Sequence, residues 1–154
     1  MERAYRGVME PRGLECYTVV IGESDLYVCT RGDLREDAAG SLARHRKDLE
    51  AYLSRHVDFG TSFRPVPVDR EAPAIVRAMA EAAAEFDVGP MAAVAGAIAQ
   101  HVGTDLLSLS PEVIVENGGD IFLAGKGQRT VRVFAGTGGV DLDMAVNVER
   151  EGIG

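Results

Sequence analysis

The chain has 154 residues, 46% hydrophobic and 26% charged, the size and composition of one globular domain that buries its own core. A formal net charge of −8, with no Trp and only 6% aromatic residues, excludes a phosphate-backbone or base-stacking surface for nucleic acid. No cationic apolar leader opens the sequence and no apolar run nears the ~18 residues of a membrane span, so a cytoplasmic protein with reduced thiols is expected.

Residues 1–13 form a polar lead-in with Pro11 and Gly13. Residues 14–21 (LECYTVVI) and 26–30 (LYVCT) are rich in β-formers, and Gly22-Glu23-Ser24-Asp25 between them is turn chemistry, which predicts an N-terminal β-hairpin. Cys16 and Cys29 fall on its two strands; geometry allows a bridge, but two structural, reduced cysteines are expected, because no His/Cys spacing suits a metal. Asp33 caps a predicted long helix that runs to about His56. Leu34, Ala38, Leu42, Leu49 and Leu53 make its apolar stripe, with Arg44, Arg46, Lys47, Asp48 and Glu50 on the opposite, solvated face. His45 and His56, near one face of this helix, read as solvated residues.

Pro65 and Pro67 make residues 59–68 (FGTSFRPVPV) an irregular connection. Residues 71–86 predict an Ala-rich second helix with Ile75, Val76, Met79, Ala82, Ala83 and Phe86 on one broad face. Asp87-Val88-Gly89 interrupts it, and Pro90 suits the first turn of a third helix reaching about His101 and ending near Gly103-Thr104. Candidate strands follow at 113–116, 121–124, 130–135 and 140–148, separated by Gly118-Gly119, Gly125-Lys126-Gly127 and Gly136-Thr137-Gly138-Gly139. Hairpin, three helices, then an antiparallel meander packed on the helices predicts one α+β domain over residues 1–154 rather than an alternating α/β sheet.

Two stretches carry candidate chemistry. The third helix is almost wholly small residues, and Gly96 inside it costs on the order of 1 kcal/mol relative to Ala, so a neighbour is expected where its side chain would be. The helix start offers backbone N–H groups, and Gly89 keeps the approach open for a phosphate. The plainer alternative is a buried helix beneath a sheet. In the second stretch, Asn117-Gly118 is a strong hairpin signal, while Gly119 and Asp120 exceed what a two-residue turn requires. Asp120 can accept from a ribose hydroxyl or a base, or it can hold its own turn. Glu116 is a carboxylate at a strand end. There is no G-x-G-x-x-G after a first strand, no P-loop, no Ser/His/Asp set and no H-E-x-x-H.

Residues 88–99 (VGPMAAVAGAIA) and 114–122 (IVENGGDIF) resemble the UPF0280 family, uncharacterised proteins of the ApbE-like superfamily. Tyr5-Arg6, the Glu23-Ser24-Asp25-Leu26 turn, Arg46 and Phe63-Arg64-Pro65-Val66 agree, so the likeness runs nearly the full length. The best-known members of that superfamily are flavin transferases, which use FAD and a divalent metal to attach FMN to a Thr of a target protein. The resemblance implies an ApbE-like fold, a nucleotide or flavin ligand (FAD or FMN), and Mg²⁺ in the full-length protein. It implies that Gly118, Gly119 and Asp120 line the site, with Glu116 and Asn117 leading into the same turn, and that Gly89, Pro90, Met91 and Ala92 border it.

The chain departs from the transferases at two places. Pro90-Met91 stands where they carry Lys-Gly, and the sequence reaches Gly154 before the segment that supplies their Asp and Thr metal ligands. A C-terminally truncated or cleaved chain with a separate C-terminal fragment is therefore expected, and no catalytic residue is assigned. The alternative is a non-catalytic binding or assembly module on the same scaffold, with exposed sheet edges favouring a homodimer.

Overall fold

The computed structural model describes residues 13–125, 127–133 and 142–148. Strands β1 (Glu15–Ile21) and β2 (Ser24–Thr30) form the expected hairpin, in register from Glu15↔Thr30 to Ile21↔Ser24. Side chains alternate across it: Tyr17 and Val19 on β1 and Leu26 and Val28 on β2 turn into the core, directly opposite one another. The same register sets Cys16 opposite Cys29 on the other face, with Cα atoms 4.1 Å apart, and the two are joined as a disulfide. The expectation of reduced thiols is corrected here: directly opposed cysteines on an antiparallel pair already meet the distance a bridge needs.

Three helices account for most of the other layer. α1 (Arg35–Leu53) starts one residue later than expected, because Leu34 takes the cap position while Asp33 Oδ1 still accepts from the Arg35 N–H at 3.0 Å. A short helix, α2 (Val57–Thr61), forms where an irregular loop was expected from residue 59. Phe59, fully buried, anchors it, and it ends before Pro65. α3 (Ala74–Glu85) begins after Pro73 and ends where Asp87 takes a left-handed φ of 53° and the Val88 N–H returns to the Ala83 carbonyl. Pro90–Ala93 is a 3-10 turn rather than the first turn of an α-helix, and α4 (Val94–Leu106) follows it. The chain bends by 107° between α3 and this segment, and among the described residues no single helix is long and apolar enough to cross a membrane.

α4 runs through Gly103 to Leu106, beyond the expected end. Gly103 does not stop the helix; it makes room for the Phe122 ring, whose edge occupies the space a Cβ there would take. Strands β3 (Val113–Asn117) and β4 (Asp120–Ala124) form the antiparallel hairpin expected after the helices. β3 pairs antiparallel with β2, giving a four-stranded sheet ordered β1-β2-β3-β4. β5 (Gly127–Val133) and β6 (Leu142–Val148) pair with each other as a second, two-stranded sheet. The Gly136-Thr137-Gly138-Gly139 loop, Tyr5-Arg6 and the last six residues of the chain lie outside the described residues.

The α+β plan is thus the expected one. α1, α3 and α4 pack together, α1 over β1 and α4 over β3 and β4, enclosing Leu26, Val28, Leu42, Val76, Met79, Val102 and Val115, none of them exposed. α4 is the central helix, touching α1, α3, β3 and β4, which places its small-residue stretch beside the hairpin that joins β3 to β4.

Candidate functional site

That hairpin is the first component of the site. Asn117 pairs with Asp120, so the turn proper is Gly118-Gly119, with φ of +62° and +104°. Two successive positive φ values are the requirement of a type I′ turn, which suits the twist of the flanking strands. The second glycine is therefore not surplus, as sequence pattern implied; both glycines serve the turn, and the residues beyond its need are Asn117 and Asp120. Glu116, 1% exposed, steadies it by accepting the Gly119 N–H at 3.0 Å. Asn117 Nδ2 donates to the Ala95 carbonyl of α4 at 3.1 Å, so the hairpin is tied to the small-residue helix.

Asp120 is the second component. It leans over Gly96: a Cβ built there would stand 3.7 Å from both Cγ and Oδ2 of the carboxylate. The neighbour expected opposite Gly96 is this side chain. The carboxylate lines a cleft of about 590 Å³ between α3, α4 and β4, within the range usual for small-molecule sites. Its floor is Ala92, Gly96 and Ala97; Ala82 of α3 and Phe86 just after it form one side, and Gln100 adds a neutral polar group. Phe86, 74% exposed, stands at the rim as a large apolar surface open to solvent.

The structure separates the predicted site residues. Ala92 and Asp120 line this cleft, whereas Met91 and Asn117 line a second, smaller cavity. A Cβ added at Gly118 or Gly119 would meet nothing within 4 Å. Gly89 and Pro90 are buried. The open approach expected at Gly89 is filled by the chain itself, since the Ser62 carbonyl and the Phe63 backbone pack where a Cβ would lie. The helix start expected to receive a phosphate is a four-residue 3-10 turn behind that contact.

Sequence reasoning missed Phe86 and Gln100 as cleft residues, and only the observed packing of α3 on α4 reveals them. It also took His45 and Arg46 for solvated residues. His45 Nε2 lies 2.9 Å from Asp105 Oδ2, with its ring edge-on to His101 at 5.1 Å between centroids, and Arg46 is held by three partners. The Ser41 hydroxyl donates to the same Asp105 oxygen at 2.6 Å, and Arg44 approaches it at 3.4 Å. Partial burial disfavours ionisation of Asp105, but the hydrogen bonds from Ser41 and His45 and the charges of His45 and Arg44 outweigh it and hold the carboxyl below its ordinary value. Ser41 and His45 share one carboxylate oxygen instead of bonding each other, so this is a brace between α1 and α4 and not an activated nucleophile. Among the described residues, no three His, Cys, Asp or Glu side chains are grouped to hold a metal.

An α+β domain in which a Gly-Gly hairpin sets a carboxylate over a small-residue helix, beside an open cleft, is what the fold and site define. The chain belongs to the family described as AbpE bacteria, which it matches over residues 7–154. It is similar to proteins named UPF0280: 38% identical over 115 residues to one of Methanococcus maripaludis (74% of this chain, 47% of that protein), 38% over 112 residues to one of Methanocaldococcus jannaschii (73% and 45%), and 42% over 106 residues to one of Methanopyrus kandleri (67% and 42%). The chain spans about half the length of the relatives it matches.

Proposed function

We propose that the cleft beside Asp120 binds a flavin or a related nucleotide, FAD or FMN in the first instance, and that the protein is related to the FAD:protein FMN transferases of the ApbE-like superfamily. The observation that carries this reading is the Asp120 carboxylate lying against Gly96 at the edge of a cleft of about 590 Å³. A floor of Ala and Gly lets a flat ring approach the helix backbone, Phe86 offers an apolar face at the rim, and Gln100 and Asp120 can meet polar atoms at the ligand's edge. A Mg²⁺ ion accompanying a diphosphate would take Asp120 as one carboxylate ligand beside phosphate oxygens and waters, and no step is assigned to it. Transfer of a flavin group is not assigned to this chain, whose match covers 47% of the relative's length.

Purified protein is to be scanned for flavin absorbance and titrated with FAD with and without Mg²⁺. Saturable binding supports the reading, and absence of binding by the intact, full-length protein sinks it. A second reading, a non-catalytic module that assembles as a homodimer, is favoured by the edge position of β1 and β4 in the four-stranded sheet. A monomer at micromolar concentration in sedimentation, with FAD bound, would leave only the first.

A further inference from the structure

α4 has a second working face. Gly96, Ala97 and Gln100 line the Asp120 cleft, while Val94, Ala95 and Ile98, on the opposite side of the helix, line a separate cavity of about 340 Å³. The two cavities share no lining residue. The second is apolar along Leu49 and Leu53 of α1, Met91, and Val94 and Ile98 of α4.

Its charged groups form one connected cluster. The Arg46 side chain is 15% exposed; Nη1 donates to Ser24 Oγ at 2.7 Å, and Nη2 donates to Glu23 at 3.0 Å and Glu50 at 2.6 Å. Gly22 closes over the guanidinium, because a Cβ there would come within 2.6 Å of Nη2. The cation is thus fixed while its two carboxylate partners stay open to solvent, Glu23 at 93% and Glu50 at 61% exposure. Two carboxylates against one guanidinium leave this cluster with a formal charge of −1, which opposes a phosphate or carboxylate ligand. The same cluster suits hydroxyl groups, since carboxylates only accept hydrogen bonds and Arg46 uses three of its five N–H donors. Asn117 adds an acceptor: its Nδ2 bond to Ala95 assigns the amide, so the oxygen is the branch that can meet a ligand.

We propose that this cavity is a second binding site, distinct from the Asp120 cleft, for an uncharged, hydroxyl-bearing ring compound of the nucleoside class. The ring is enclosed by the aliphatic side chains, Glu23 and Glu50 accept from adjacent hydroxyls, and Arg46 donates to their oxygens. The site goes beyond the flavin reading and uses none of the cleft residues.

Calorimetric titration of the full chain with adenosine, 2′,3′-dideoxyadenosine and adenosine monophosphate tests it. Adenosine is expected to saturate one site; the dideoxy compound, lacking both hydroxyls, and the monophosphate, carrying added negative charge, each bind about tenfold more weakly or worse. Glu50→Gln removes a charged acceptor from an exposed position, so it weakens adenosine binding about tenfold while thermal unfolding stays where it was. Asp120→Ala leaves adenosine binding unchanged, which separates this site from the flavin cleft. No saturable adenosine binding, equal affinity for the dideoxy compound, tighter binding of the monophosphate, or loss of adenosine binding in Asp120→Ala rather than Glu50→Gln would each overturn the proposal.

Discussion

Asp120 and Gly96 meet across the hairpin and α4, the carboxylate Cγ standing 3.7 Å from where a Cβ on Gly96 would be. This is ordinary van der Waals spacing, so a methyl group fits. Gly96→Ala therefore gains helix propensity, on the order of 1 kcal/mol, and raises the melting temperature by about 3 °C. The same methyl group raises the cleft floor, and FAD affinity is expected to fall. Thermal unfolding and FAD titration on one preparation check both halves; unchanged affinity would remove Gly96 from the site.

Gly89→Ala behaves in the opposite way. The added Cβ meets the backbone carbonyl of Ser62, which cannot rotate aside as a side chain can. A loss on the order of 2–3 kcal/mol is expected by urea unfolding. A loss below about 0.5 kcal/mol would mean that the 3-10 turn yields easily and that the approach at Gly89 is open after all.

Gly103 and Phe122 form a second close pair, the ring filling the place of a Cβ. Gly103→Ala is expected to destabilise by about 1–3 kcal/mol despite the better helix former. In a double-mutant cycle with Phe122→Ala the two costs fall short of additive, because removing the ring vacates the space. Additive costs would contradict the contact.

The Cys16–Cys29 bridge closes a loop of 13 residues' separation on the hairpin. Reduction, or Cys16→Ser with Cys29→Ser, should cost about 3 kcal/mol by the loop-entropy relation. A thiol assay on the unfolded, unreduced protein should find no free thiol, both cysteines of the chain being used. Two free thiols would restore the reduced state that composition led one to expect.

Asp105 makes stability depend on pH. Its carboxyl is held below its unfolded value, near 3.9, so the stabilisation is fully present above that value and is lost as pH falls through the lower, folded one. Asp105→Asn should therefore flatten the acid limb of the stability curve below about pH 4. At neutral pH, Asp105→Ala leaves the Ser41 hydroxyl, 1% exposed, without its partner, at a cost on the order of 1–3 kcal/mol.

Elements set by local chemistry were legible in the sequence. The alternation of Tyr17 and Val19 against Leu26 and Val28, the Gly118-Gly119 turn and the break at Asp87-Val88-Gly89 are properties of short segments, and the hairpins and helices follow them. What escaped depends on partners distant in the chain. Gly89 reads as an open approach until Ser62, 27 residues earlier, is seen against it. Gly103 reads as a helix stop until Phe122 arrives over it, and nothing local to β3 announces its pairing with β2. His45 and Arg46 are polar side chains on a helix, which by itself spells solvent; their partial burial comes from α4 and the β1–β2 turn. The link between the small-residue helix and the Asn117–Asp120 hairpin was legible only as a family resemblance, and its physical form is the Asn117–Ala95 hydrogen bond and the Asp120–Gly96 contact.

The most direct measurement is FAD binding by the wild-type chain and by Asp120→Ala, with the melting temperature of each recorded. Asp120 is exposed at the start of β4, so its truncation leaves the fold intact. The account predicts saturable binding by the wild type and at least about a tenfold loss in Asp120→Ala, a difference of about 1.4 kcal/mol, at unchanged melting temperature. Equal affinity in the two proteins would contradict the assignment of the cleft.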